Sequence, residues 1–167
     1  MAYFEPQNVK KMPGKYTIDQ LFSVAPAGPD TLGYYATVTD LFGVKEDLVL
    51  CSKFVNGSNT SYFWQPVRPE FAASMSADQN SSLIPLKTPS ILFLTGAILA
   101  GVGRTFNLDS VYAFPGASFE IAFDGTLGLG SILNVGGLVG GSTVSMILNG
   151  RKRFFYDGTV GGWKTFQ

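Results

Sequence analysis

Apolar and polar residues alternate along several short stretches of this chain, and most of those stretches stop at a turn dipeptide. Alternation with a period of two puts successive side chains on opposite faces of an extended backbone, so it argues for strands. Over Ser118–Phe123, Phe119, Ile121 and Phe123 point one way and Ser118, Glu120 and Ala122 the other, and Asp124-Gly125 follows as a turn signal. Residues 143–148 alternate in the same way, with Val144, Met146 and Leu148 on one face, and end at Asn149-Gly150. The strand-like run from Arg151 to Tyr156 comes next, so a hairpin centred on Asn149-Gly150 is expected, because a type I′ turn needs positive φ at both central residues.

The first half carries a second set. Residues 34–39 and 48–55 are rich in aromatic and β-branched side chains, the latter run ends at Asn56-Gly57, and Tyr62, Phe63 and Trp64 form the expected return strand. Only residues 70–78, after Pro69, read as briefly helical. Closely spaced strands with so little helix predict an all-β chain, an antiparallel β-sandwich or barrel-like domain with at most one short helix. Residues 1–15 are expected to form an extended N-terminal arm, since Pro6 and Pro13-Gly14 break regular pairing while Tyr3, Phe4, Val9 and Met12 are apolar. Tyr3, Phe4 and Met12 are candidate contacts of that arm with a neighbouring subunit; the alternative is a strand tucked onto the domain's own core. Residues 16–167 then make one domain, with sub-regions 16–73 and 83–167 on either side of the small polar segment 74–82.

Composition narrows function. A chain of 167 residues is of ordinary single-domain size, yet only 14% of it is charged, against about 25% in a typical soluble domain. Twelve acidic and twelve basic residues cancel, so nothing holds copies apart or steers them toward polyanions. Self-association is expected and nucleic-acid binding is not. Cys51 is the single cysteine, which leaves neither a disulfide framework nor a Cys/His metal site. The N-terminal residues lack a basic stretch followed by an apolar one, so assembly in a cytoplasm is expected. Residues 125–150 carry no charge, and that length would cross a bilayer, but glycines, serines and Asn134 interrupt every apolar run. A small glycine-rich membrane protein is therefore the most distant alternative.

Candidates for chemistry fail one by one. Without histidine, serine and cysteine nucleophiles lack their ordinary base, and no S-x-x-K pattern substitutes for it. Glu120 and Asp124 lie four residues apart on one strand, about 13 Å, beyond the roughly 5–9.5 Å that paired carboxylates need for glycoside hydrolysis. Glu46 and Asp47 are adjacent and so face opposite sides of a strand. Residues 136–143 have P-loop glycine spacing but Ser142 where the phosphate-binding lysine belongs. Arg151, Lys152 and Arg153 form the only basic cluster, better read as a guarded sheet edge or a salt-bridging rim than as a phosphate track. No enzyme activity, cofactor or metal is expected. Among the aromatics, Tyr62, Trp64 and Trp163 are candidates for stacking on sugars, although core or interface anchoring is the commoner use.

Two stretches resemble modules of phage tail-fibre and other virion surface proteins. Tyr16 to Leu21, Pro26-Ala27-Gly28-Pro29 and Tyr35-Ala36-Thr37-Val38-Thr39-Asp40 are similar to a short strand, a Gly/Pro turn and a strand closing in Val-Thr-Asp. Pro115-Gly116-Ala117-Ser118-Phe119-Glu120-Ile121, with Asp157-Gly158-Thr159 and Trp163, resembles the Pro-Gly strand and closing Asp-Gly-Thr-x-Trp of such proteins. Together they cover about a third of the chain. The first module departs from the pattern, since Asn56-Gly57 and Trp64 stand in for its closing motif at a wider spacing, and no heptads or fibrous repeats occur. The resemblance implies a bacteriophage virion subunit, often a homotrimer, without catalytic residues. The length suits a head-decoration or cement protein bound to the major capsid protein or another virion subunit. A tail-fibre or adhesion module binding host glycans is the alternative.

Overall fold

A computed structural model describes residues 10–68 and 70–166. The chain is all-β, and it divides into two compact units at Pro69/Glu70. The division thus falls ahead of residues 74–82, which lie inside the second unit, with 74–76 and 81–82 in strands and 77–80 between them.

In the first unit, strands β1 (Lys10–Tyr16), β2 (Tyr34–Leu41), β3 (Lys45–Asn56) and β4 (Asn59–Pro66) lie side by side in that order. β2, β3 and β4 form an antiparallel meander, and the Asn56-Gly57 turn closes the β3/β4 hairpin as expected, with Asn56 opposite Asn59. β1 runs parallel to β2, so the chain needs a crossover between them, which helix α1 (Ile18–Val24) supplies. The expectation of a strand from Tyr16 to Leu21 is corrected here. Thr17 accepts a hydrogen bond from the Gln20 N–H while the Gln20 side chain accepts one from the Thr17 N–H, a capping box that starts a helix directly after β1. Of the expected arm, residues 10–15 belong to β1, where Pro13 and Gly14 sit in a bulge that shifts the register between Lys11 and Lys15. Residues 1–9, with Tyr3 and Phe4, lie outside the described residues.

Ile18 and Leu21 on α1 are buried, as are Ala36, Val38, Val49, Cys51 and Trp64 of the sheet, and α1 lies against β1 and β2. The indole N–H of Trp64 donates to the Ala25 carbonyl at 3.0 Å, tying the helix end to the far strand of the sheet. Asp47 is buried as well. Burial, the largest single influence, pushes its carboxyl up, but the Leu48 N–H at 2.8 Å and Lys45 and Arg68 at 3.1 Å together outweigh it and hold the carboxyl below the ordinary 3.8.

The second unit departs from an antiparallel sandwich or barrel. Its strands are β5 (Ala72–Ser76), β6 (Ser81–Leu83), β7 (Ile91–Thr95), β8 (Ala97–Ile98), β9 (Gly103–Leu108), β10 (Ser118–Phe123), β11 (Thr126–Leu127) and β12 (Ile132–Gly136), followed by β13 (Val144–Met146), β14 (Arg151–Asp157) and β15 (Gly162–Thr165). β5, β7 and β10 pair in parallel, as do β8 with β11 and β6 with β9 and β12. This is a solenoid-like arrangement in which the second and third coils each lay one strand on each of three sheets. The second and third coils match with one offset throughout: Ile91 pairs with Glu120, Ala97 with Thr126 and Gly103 with Ile132, each 29 residues apart. The first coil is shorter and has no counterpart of β8. Residues 70–78, expected as a helix, hold the strand β5 because Ala73 and Met75 stack beneath Leu92 and Leu94 of the next coil.

Inward side chains form columns through the coils: Leu92 over Ile121, Leu94 over Phe123, Ile98 over Leu127 and Phe106 over Val135. Full burial of one such side chain contributes roughly 1.5–3 kcal/mol. The last coil is closed by antiparallel strands, with β13 on β12, β14 on β10 and β15 on β14. Asn149 does adopt positive φ, but β13 and β14 go to different sheets, so the expected Asn149-Gly150 hairpin is a turn between sheets instead. β14 also lies between β10 and β15, so Arg151, Lys152 and Arg153 guard no sheet edge.

At one corner the coils approach so closely that a Cβ on Gly125 would run into the backbone carbonyl of Gly96 beneath it. Gly125→Ala is expected to cost about 2 kcal/mol and to lower the melting temperature by roughly 10 °C in a thermal scan. In the first unit, the carboxyl of Asp47 has a lower pKa folded than unfolded, so its stabilisation is complete above the unfolded value and is lost as pH falls through the folded one. Urea midpoints measured from pH 7 to pH 2 should therefore fall on the acid side, and Asp47→Asn should flatten that fall while lowering stability at pH 7 by about 1–3 kcal/mol.

Candidate interaction surface

The outward faces of the solenoid differ in chemistry. On the sheet of β7, β10, β14 and β15 two ion pairs lie within the face, while the exposed Arg153 reaches only the Ser118 hydroxyl at 3.5 Å. Arg151 bridges Glu120 at 3.0 Å and lies over the Phe93 ring at 5.9 Å, Lys164 bridges Asp157 at 2.6 Å, and Phe155 packs on Phe166 at 4.8 Å. The Lys164 ammonium, then the Thr159 hydroxyl and N–H, hold the Asp157 carboxyl far below the usual carboxylate range. Asp157 also starts the turn that joins β14 to β15.

The sheet of β9, β12 and β13 is different. Register and alternation set three outward rows: Gly103 and Ile132; Thr105, Asn134 and Ser145; Asn107 and Gly136. The positions one step beyond the Leu133/Met146 pair are Ile132 and Ile147, and both are exposed. At the adjoining corner the Ser131 hydroxyl lies 3.0 Å from the Leu99 carbonyl oxygen and 2.6 Å from that of Gly128, and the Gly101 N–H donates to the Leu129 carbonyl. The backbone is thereby satisfied while the Leu99 and Leu129 side chains stand in solvent, 66% and 93% exposed. With Ile132, Ile147 and Leu148, also exposed, their summed apolar area is on the order of 300–500 Å², comparable to the largest apolar patch of an ordinary monomer, which is often functional. No charged residue occurs anywhere in 125–150, so this surface can be dehydrated without stranding an ion.

The residues singled out from sequence are distributed elsewhere. Trp64 and Trp163 are each 0% exposed. The Trp163 indole donates to the Asp109 carbonyl at 2.9 Å, its ring packs against Phe119 and Tyr156, and Leu138 bridges to its backbone, so it plugs the last coil. Neither ring offers a face to a sugar. Tyr62 and Met12 are half-buried in the first unit, on β4 and β1. Glu46 is held by Lys15 at 2.7 Å and Asp47 by its own set of donors, so the adjacent carboxylates do not act together. The P-loop-like glycines form no strand-to-helix loop; Val139–Gly141 is a single 3-10 turn. A shallow cleft of about 400 Å³ in the first unit, beside Tyr35, Leu50 and Lys53, touches the buried Cys51, whose sulfur lies 3.5 Å from the Thr31 hydroxyl.

The exposed cluster was missed because its members come from different coils: no window of sequence shows Leu99 near Leu129. The signal available was the shared offset of Gly96/Gly125 and Gly101/Gly130, which marks equivalent corners. Among the described residues no group of acidic, cysteine or histidine side chains could hold a metal ion, and no helix is long and apolar enough to cross a membrane. No protein-family model, curated protein or solved structure matches the chain.

Both tryptophans being enclosed, iodide is expected to quench their fluorescence several-fold less than that of free tryptophan, and soluble glycans are expected to leave the emission unchanged. Strong iodide quenching in the folded protein would show that at least one ring is accessible.

Proposed function

We propose that the chain is a non-catalytic structural subunit that assembles through the charge-free surface of its solenoid, with a bacteriophage virion as the setting and head decoration as the role. The observation that carries the reading is the exposed set Leu99, Leu129, Ile132, Ile147 and Leu148 on a surface without charge. Large side chains left in water on a hydrogen-bonded scaffold need little backbone ordering when a partner covers them, and their burial returns apolar free energy that exceeds the lost rotamer freedom. The cancelling net charge works in the same direction, since copies meet without repulsion. The virion setting rests on the resemblance of the segment from Pro115 to Ile121 and of Asp157-Gly158-Thr159 with Trp163. A decoration subunit needs a stable scaffold and an adhesive face, and it needs no catalytic centre.

Light scattering across a concentration series tests the assembly. The wild-type chain is expected to associate, and Leu129→Lys with Ile132→Lys is expected to weaken association by at least about ten-fold at an unchanged melting temperature, because each new ammonium would have to be desolvated on burial. A wild-type chain that stays monomeric at about 100 μM would overturn the reading. The viral setting is tested by the coding neighbourhood: a gene among capsid or tail genes is expected, and one inside a metabolic gene cluster would contradict it.

A further inference from the structure

The dipeptide Asn-Gly occurs twice in the chain, at Asn56-Gly57 and Asn149-Gly150, each at a turn with its asparagine exposed. Such a pair holds an electrophile beside a nucleophile: the asparagine Cγ and the backbone nitrogen of a glycine, which has no side chain to hinder the approach. Attack closes an imide ring only when that nitrogen gives up its proton, so the partner of the glycine N–H decides which pair reacts. The two turns differ on this point. The Gly150 N–H donates to the Ile147 carbonyl at 2.8 Å, and the Gly150 carbonyl accepts from the Phe123 N–H at 2.9 Å, so the glycine is held on both sides. A Cβ on Gly150 would run into that same Ile147 oxygen. At the tip of the β3/β4 hairpin, Gly57 has φ +61° while Ser58 is not left-handed, the type II′ pattern with glycine first. The ladder closes between Asn56 and Asn59, outside the loop, and leaves the Gly57 N–H over. Among the described residues neither that N–H nor the Asn56 side chain has a hydrogen-bond partner, and a Cβ on Gly57 would meet nothing within 4 Å.

We propose that Asn56 is a site of spontaneous covalent modification, which converts it to isoaspartate and aspartate in the folded chain, and that the fold protects Asn149 from the same reaction. The Gly57 nitrogen loses its proton to hydroxide and bonds to Asn56 Cγ. The Cγ–Nδ2 bond breaks, and the side-chain nitrogen leaves as ammonia with a proton taken from water. Water then adds to one of the two imide carbonyls and breaks its bond to the ring nitrogen. Opening at the backbone carbonyl leaves isoaspartate, and opening at Cγ leaves aspartate. Nothing is oxidised or reduced, and solvent water is the only co-reactant. Each event places a carboxylate on a chain of net charge 0. Isoaspartate also routes the backbone through the former side chain and lengthens it by a methylene, which the pairing of Asn56 with Asn59 cannot match, so the hairpin tip loosens. The inference is independent of how the chain assembles.

Ageing the full-length folded protein at mildly alkaline pH tests the site, with brief proteolysis and mass spectrometry that separates isoaspartyl from aspartyl peptides. Asn56 is expected to gain the mass of amide-to-acid conversion, with isoaspartate in excess. It should react at least about ten-fold faster than Asn149, a difference of about 1.4 kcal/mol in barrier. In the urea-unfolded chain the two rates are expected to converge, because the dipeptide is then all that either site offers. Asn56→Gln, which would have to close a larger ring, is expected to abolish the modification at an unchanged melting temperature. An Asn56 that converts no faster than Asn149 in the folded chain overturns the proposal. Aspartate formed without isoaspartate does so too, since it would mean direct hydrolysis of the side chain. If Asn149 stays equally slow after unfolding, the contrast comes from neighbouring residues, and protection by the Ile147 and Phe123 hydrogen bonds is wrong.

Discussion

In-register pairing of backbone between successive coils governs residues 70–166. A parallel ladder holds only if the chain returns to the same sheet after the same length, and the second and third coils do so on all three sheets at once. Every other feature of the unit follows from that return. Inward side chains must stack on their counterparts one coil away, which is why Leu92 meets Ile121 and Phe106 meets Val135. Corners must be thin, which is why Gly125 lies against Gly96 and Gly128 against Ala100. A stack of this kind cannot end on a bare coil without leaving an apolar column in water. The antiparallel strands after β12, with Trp163 as their plug, close it.

What the sequence displays is the facing of side chains, and what it hides is the partner of each strand. Ser118–Phe123 is a strand with the expected faces, and the Asn56-Gly57 hairpin is real, because both depend on residues close in the chain. Alternation reads the same in parallel and antiparallel ladders, so it does not separate a solenoid from an antiparallel sandwich. The helix was legible in Thr17 and Gln20, a capping box three residues apart, but the brevity of the apolar run after it hid α1. Conversely, residues 70–78 have weak helical features that tertiary pairing with β7 overrides. Asn149-Gly150 shows the limit of a turn motif: it fixes the local backbone and leaves the destination of the following strand open.

The candidate surface follows from the same constraint. In a solenoid the inner faces are committed to the columns, while the outer faces are free to specialise sheet by sheet. One outer face carries two ion pairs, Arg151 with Glu120 and Lys164 with Asp157. Another is built mainly from the charge-free residues 125–150, has Arg104 bridged to Asp78 as the one cation of its β9 strand, and keeps Leu129 and Ile132 in solvent. The tryptophans that looked most like ligand platforms are spent on closing the cores, each with its indole N–H satisfied by a backbone carbonyl. The adhesive capacity of the chain therefore lies in residues that look unremarkable in sequence, leucines and isoleucines spaced by glycines.

The most direct test of this account is the pattern of inter-strand nuclear Overhauser effects in the isotopically labelled 17.9 kDa chain. Parallel coils require contacts at a constant sequence difference: Leu92 with Ile121, Ile98 with Leu127 and Thr105 with Asn134, all 29 residues apart. Those contacts are the result the account predicts. Contacts at a constant sequence sum across the same segments, the mark of antiparallel hairpins, would contradict it.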